Sequence, residues 1–292
     1  MARQKRTGTL RTDGADIVYD IYGPLPAEDG RPPLLMLGQP MDASGFGTLA
    51  SHLPERTVVA YDPRGLGRST RDDGRTDNTP EVQAQDVHAL IETLGAGPVE
   101  VFASSGGAVT ALALVTAHPG DVTTMVAHEP PIIPVLPDAG AAERARDAVT
   151  DVYNAKGWGA GMAAFMALTA WQGEYTDDYF AQPAPDPAAF GMPAEDDGKR
   201  DDPLLSDRSW AVSGYRPDVE AITSAPTRVV IAVGEETGNT FTARTAVATA
   251  ALLGQEATVF PSHHGGFLGG EFGYPGKPEE FAKRLREVLA EG

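Results

Sequence analysis

Residues 99–114 constrain the fold more tightly than any other stretch of this 292-residue chain. Val99-Glu100-Val101-Phe102 is a short, mostly apolar run. It breaks into Ala103-Ser104-Ser105-Gly106-Gly107, and Ala, Val and Leu suited to a buried helix follow at once. A strand that turns so sharply into a helix holds a hydroxyl clear of the backbone, the layout of a nucleophile elbow. Crowding in such a turn demands small residues two before and two after the presented hydroxyl. Ser105 meets this with Ala103 and Gly107, whereas Ser104 would put Phe102 at the first of those places. Ser105 is therefore the candidate nucleophile. Because Ala103 replaces the leading glycine of G-x-S-x-G, the match alone also fits a plain glycine-rich turn with a capping serine.

The rest of the pattern alternates strands and helices. Residues 9–22 read as two strands around an Asp13-Gly14 hairpin turn. The runs 33–37 and 57–61 are continuously apolar, as in strands buried on both faces. A helix is predicted over 79–94, with Pro80 in its first turn, Gly95 at its end, and Val87, Leu90, Ile91 and Leu94 on one face. The helix after the elbow should stop near Pro119. Further strands are predicted at 122–127, 227–233 and 257–260. A final helix carries Phe281, Leu285, Val288 and Leu289 on one side. Such alternation builds an α/β fold, a doubly wound and mostly parallel sheet. Residues 130–225 interrupt it with helical segments near 141–154 and 160–171, then an acidic, proline-containing stretch at 174–216. All three tryptophans (Trp158, Trp171, Trp210) fall there. The expected organisation is a core of 1–129 and 226–292 with an inserted helical cap at 130–225.

Composition narrows the function. The chain has no cysteine, which removes disulfides, thiolate catalysis and Cys-bound zinc. A net charge of −18 argues against nucleic acid as a partner and disfavours polyanionic substrates. No run approaches the length of a membrane span, so no membrane partner is expected. The basic start, residues 1–6, lacks the apolar stretch of a secretory signal, and a cytoplasmic location is the expectation. No metal or other cofactor is implied.

A serine hydroxyl needs a base within hydrogen-bond reach, and histidine suits neutral pH best. His52, His88 and His118 lie in or at the ends of predicted helices and read as surface or packing residues; His128 reads as a strand-end residue. Pro261-Ser262-His263-His264-Gly265-Gly266-Phe267 is different, because it follows the last predicted strand and precedes the last helix. Together with Leu35-Met36-Leu37-Gly38-Gln39-Pro40 and Tyr61-Asp62-Pro63-Arg64-Gly65-Leu66-Gly67-Arg68-Ser69, these residues resemble the α/β-hydrolase superfamily. The second segment is similar to the family's D-x-R-G-x-G-x-S loop, and the resemblance covers the core on both sides of the cap.

That resemblance implies a serine hydrolase with His264 as base and the backbone N–H groups of Gln39 and Gly106 as oxyanion hole. It implies loop-stabilising roles for Asp62 and Arg64. Two departures stand out. The usual His-Gly before the oxyanion loop is Leu37-Gly38, and Thr237, three residues beyond Gly234, occupies the usual place of the acid. Two acids remain as candidates, Glu129 after the strand at 122–127 and Glu236 after the strand at 227–233. Glu129 is favoured, since it stands 24 residues after Ser105, a spacing shared by members that carry the acid there. The expected reaction is cleavage of a carboxylic ester, lactone or thioester of a small, neutral molecule through an acyl-enzyme on Ser105. The alternatives are a lyase, cyclase or peroxidase on the same fold, or a non-catalytic small-molecule-binding protein.

Overall fold

The computed structural model describes residues 5–291; the basic start at residues 1–6 thus falls partly outside them. Strands β1 (Lys5–Thr12) and β2 (Ala15–Tyr22) pair antiparallel along their whole length. Asp13 and Gly14 make the turn, with Gly14 at φ 72°, the left-handed backbone that a two-residue hairpin requires. Then come β3 (Leu34–Leu37), α1 (Gly47–Ser51), β4 (Val58–Tyr61), the two-residue β5 (Thr70–Arg71) and α2 (Pro80–Leu94). The elbow segment forms β6 (Val99–Ser104) and α3 (Gly106–Ala117), followed by β7 (Val122–His128). Between β7 and the next strand lie α4 (Ala139–Lys156), α5 (Trp158–Ala170), α6 (Asp177–Phe180), α7 (Trp210–Ser213) and α8 (Val219–Ser224). The core then resumes with β8 (Arg228–Gly234), α9 (Phe241–Leu252), β9 (Thr258–Phe260) and α10 (Pro278–Ala290).

The sheet runs in the order β1-β2-β4-β3-β6-β7-β8-β9, with β5 on the side of β2. Every pairing from β4 through β9 is parallel. Period-two alternation sends Leu35, Leu37, Val101 and Ala103 into one apolar layer with α2 and α3. Leu34, Met36 and Phe102 enter the opposite layer with Phe46, Phe260 and residues of α10. Both faces of the sheet are thus covered, as a parallel sheet demands. Helix α3 is buried nearly all round, consistent with its lack of a polar face. Helix α2 opens on a Thr79 cap that accepts the Val82 N–H and closes on Gly95 at φ 62°.

The insert has an apolar centre of its own, where Ala142, Ala145, Val149 and Tyr153 of α4 meet Leu168 of α5 and Phe241 of α9. The acidic stretch is tied down by Asp202, which accepts from the Trp158 indole at 3.0 Å and from the Leu204 and Leu205 amides. Helix α9 lies where the sequence reading leaves a connection. Its Ala/Thr repeat offers little polar–apolar contrast at helical spacing, and packing under the insert fixes it. Among the described residues no helix is long and apolar enough to cross a membrane.

Candidate active site

Sheet register brings the site together. Ser104 pairs with His128 across β6 and β7, so the next residues, Ser105 and Glu129, leave neighbouring parallel strands side by side. The Ser105 N–H donates to the His128 carbonyl at 2.9 Å, which joins the two strand ends. Ser105 itself sits at φ 55°, ψ −127°. A side-chain-bearing residue held there stores about 1–3 kcal/mol of strain. The small residues around it are a steric necessity. A Cβ on Gly107 would fall 2.3 Å from the Leu37 carbonyl oxygen, and one on Gly106 would fall 2.8 Å from that of Gln39.

Glu129 is fully buried and also has a positive φ, of 50°. Its carboxylate receives four donors. Oε1 accepts the Gly234 N–H at 2.9 Å and the Thr237 hydroxyl at 2.6 Å; Oε2 accepts the Thr242 hydroxyl at 2.7 Å. His264 Nδ1 lies 2.6 Å from that same Oε2. Burial alone would raise the Glu129 carboxyl. The His264 hydrogen bond, the nearby imidazoles and the Thr237 hydroxyl outweigh it and hold the group well below the usual carboxylate range. An ionised Glu129 accepts the Nδ1 proton of His264 and leaves Nε2 with the lone pair. The His264 side chain stays one-third exposed. Ser262, two residues before it, has φ 70°, so three of the four non-glycine residues with positive φ among those described lie at this site.

The loop after β3 closes the other side. Gln39 is buried against Gly106, and its side-chain Oε1 accepts from Gln83 Nε2 at 2.5 Å. Among the described residues neither the Gln39 nor the Gly106 N–H has a protein acceptor. Asp62 secures this loop by accepting the Ala43 N–H at 3.1 Å while holding the Arg68 backbone N–H at 2.8 Å. Arg64 grips Asp86 of α2 through two 2.7 Å bonds. Both residues thus brace the loops.

Glu236 is not brought to His264. It pairs with Lys277 at 2.6 Å and takes a 3.4 Å bond from Ser262, on the protein surface. His128 is buried in a cage that includes Phe102, Phe260, Phe267 and Phe281. Burial pushes its imidazole down to about 4, so it is neutral at pH 7. Among the described residues neither of its ring nitrogens has a hydrogen-bond partner. His88 binds Asp121 at 2.7 Å and stacks on His118 with ring centroids 3.7 Å apart and planes 6° from parallel. Ligand-type atoms of these three lie within 4.8 Å of one another. Parallel rings at that spacing share no in-plane point for a metal, so ring rotation would have to precede coordination. Sequence reasoning missed the Thr237 and Thr242 donors. The available signal was Thr237 itself, a hydroxyl standing where the resemblance expects a carboxylate.

The family model described as alpha/beta hydrolase fold matches residues 35–154. An uncharacterized hydrolase of Bacillus subtilis, YraK, is 29% identical over 287 residues, 97% of this chain and 95% of that protein. Among solved structures, a thermophilic esterase from Thermogutta terrifontis covers 99% of this chain (98% of its own) at a TM-score of 0.63 and 20% identity. The enol-lactonase from Burkholderia xenovorans LB400 covers 97% of this chain (100% of its own) at 0.62 and 17%. With the strand order, the elbow after β6 and the histidine after β9, these likenesses show that the chain has the α/β-hydrolase fold.

Proposed function

We propose that the protein is a cofactor-free serine hydrolase cleaving a carboxylic ester, lactone or thioester of a small neutral molecule. The observation that carries this reading is the 2.6 Å contact of His264 Nδ1 with a buried, four-donor Glu129 beside the strained Ser105. His264 Nε2 takes the Ser105 proton as Oγ attacks the carbonyl carbon. The oxyanion then accepts from the Gln39 and Gly106 amides, an interaction worth about 10²–10³ in rate per donor. Collapse of the tetrahedral intermediate expels the alcohol or thiol, which leaves with the proton from His264. Water gives a proton to His264 and attacks the acyl-Ser105; as the second intermediate collapses, His264 returns that proton to Ser105 Oγ and the acid departs. Glu129 remains ionised throughout and stabilises the imidazolium. The helical insert serves as a cap over this site. The whole-length relative described as a hydrolase and the esterase and lactonase structures support the same reaction class.

Intact-mass analysis after treatment with a reactive fluorophosphonate tests this. One adduct, lost in Ser105→Ala, is the expected result. A folded wild-type protein that takes no adduct overturns the proposal.

A further inference from the structure

A cavity of about 310 Å³ opens beside the loop after β4, lined by Arg64, Arg71, Arg75 and Arg208 together with Thr70 and Thr76. None of Ser105, Glu129 and His264 lines it. Four guanidinium groups around one cavity are unexpected in a chain of net charge −18. Three of them are neutralised. Arg64 binds Asp86 and Asp73, Arg71 binds Asp73, and Arg75 binds Asp77. Arg208, which the insert supplies, has as its protein partner among the described residues only the Asp201 carbonyl oxygen, at 3.1 Å. The Thr70 and Thr76 hydroxyls have no protein partner among the described residues.

From this arrangement we infer a binding site for a small monocarboxylate, bridged between Arg208 of the insert and Arg75 of the core. The charge count fixes the class. Four cations against three carboxylates leave one positive charge for the ligand to neutralise, and the surrounding acidic surface repels a dianion such as phosphate. The forked donors of Arg208 suit a two-oxygen acceptor. The volume exceeds what a carboxylate alone fills and leaves room for an organic body. Such a ligand fastens the segment carrying Arg208 to the loop carrying Arg75. The wall of the cavity also runs toward the candidate active site. Arg71 donates to Asn78 Oδ1 at 2.9 Å, and Gln83 bridges the Asn78 carbonyl, at 3.2 Å, to Gln39. The inference is independent of the proposed hydrolase chemistry.

Isothermal titration with butyrate and with benzoate, against sodium chloride of equal ionic strength, tests it on the full chain. Saturable one-to-one binding is expected, at least about tenfold weaker in Arg208→Ala and partly restored in Arg208→Lys. Arg208 has a single backbone partner, so the variant should fold, which circular dichroism checks; Arg75→Ala gives a second, independent loss. No saturable binding in the wild type, or unchanged binding in both alanine variants, overturns the site. Tighter binding of inorganic phosphate than of either carboxylate overturns the assigned class.

Discussion

Thr237 donates its hydroxyl to Glu129 Oε1 across 2.6 Å, from the place three residues beyond Gly234 where the resemblance implies the acid itself. A buried carboxylate, Glu129, stands instead just after β7, and Thr237 is one of its donors. Thr242, at the start of α9, supplies a second hydroxyl to the other oxygen. Replacing either by Val leaves a buried carboxylate one donor short, at a cost of about 1–3 kcal/mol. Thr237→Val and Thr242→Val should each lower kcat for an ester substrate about tenfold and move the acid limb of its pH profile. Equal activity of the double variant and the wild type would show that the two hydroxyls only pack.

The two candidate acids separate cleanly by mutation. Glu129→Gln should reduce kcat by about 10³–10⁴, because the amide no longer fixes the His264 tautomer or stabilises its cation. Glu236→Gln removes a surface contact with Lys277 and should leave kcat within about twofold. Steady-state rates on one activated ester decide between them.

Gly107→Ala should destabilise the fold by about 3 kcal/mol, since the new methyl meets the Leu37 carbonyl and Gly38 nitrogen, both backbone atoms of the adjacent loop. The expected readout is a fall of several degrees in Tm. A Tm unchanged from the wild type would mean that the loop after β3 yields freely.

His128 predicts a specific pH dependence. Its imidazole is held at about 4 in the folded protein, chiefly by burial, against about 6.5 in the unfolded chain. Above pH 6.5 both states are neutral and no stability is lost. As pH falls from about 6.5 to about 4 only the unfolded chain binds the proton, so stability drops by up to about 3 kcal/mol. Glu129, held low, acts in the same sense but in a lower window, since the stability it contributes is lost as pH falls below its ordinary value of about 4.5. Urea unfolding between pH 7 and 5 should therefore show a slope that His128→Leu flattens.

Much of this architecture was legible beforehand. Asp13-Gly14, Pro80 with Gly95, the uninterrupted apolar runs at β3 and β4 and the mostly apolar one at β6 declare their elements through turn, cap and burial chemistry. Ser105 was legible because sterics leave so few residues at the positions around it. The choice between Glu129 and Glu236 was not decided by the residues alone. It depends on which strand end adjoins β6, a fact of sheet order rather than of local sequence. The donors on Glu129 were invisible for the same reason, since Gly234, Thr237 and Thr242 lie more than a hundred residues from it along the chain. Helix α9 escaped because small residues at every position leave no periodic contrast to read.

The register of Ser104 with His128 also bears on how this chain could be recombined. Glu129 is at once the residue that leaves β7 and the one that precedes Pro130-Pro131, where the helical insert departs. The upstream junction of the insert is therefore welded to the carboxylate that holds His264, whereas the downstream junction between α8 and β8 carries none of the site's side chains. A chimera that exchanges the insert for a foreign one has to splice beyond Glu129 on the first side. On the second it can cut anywhere in the short connection, and the Glu129–His264 contact would survive the graft.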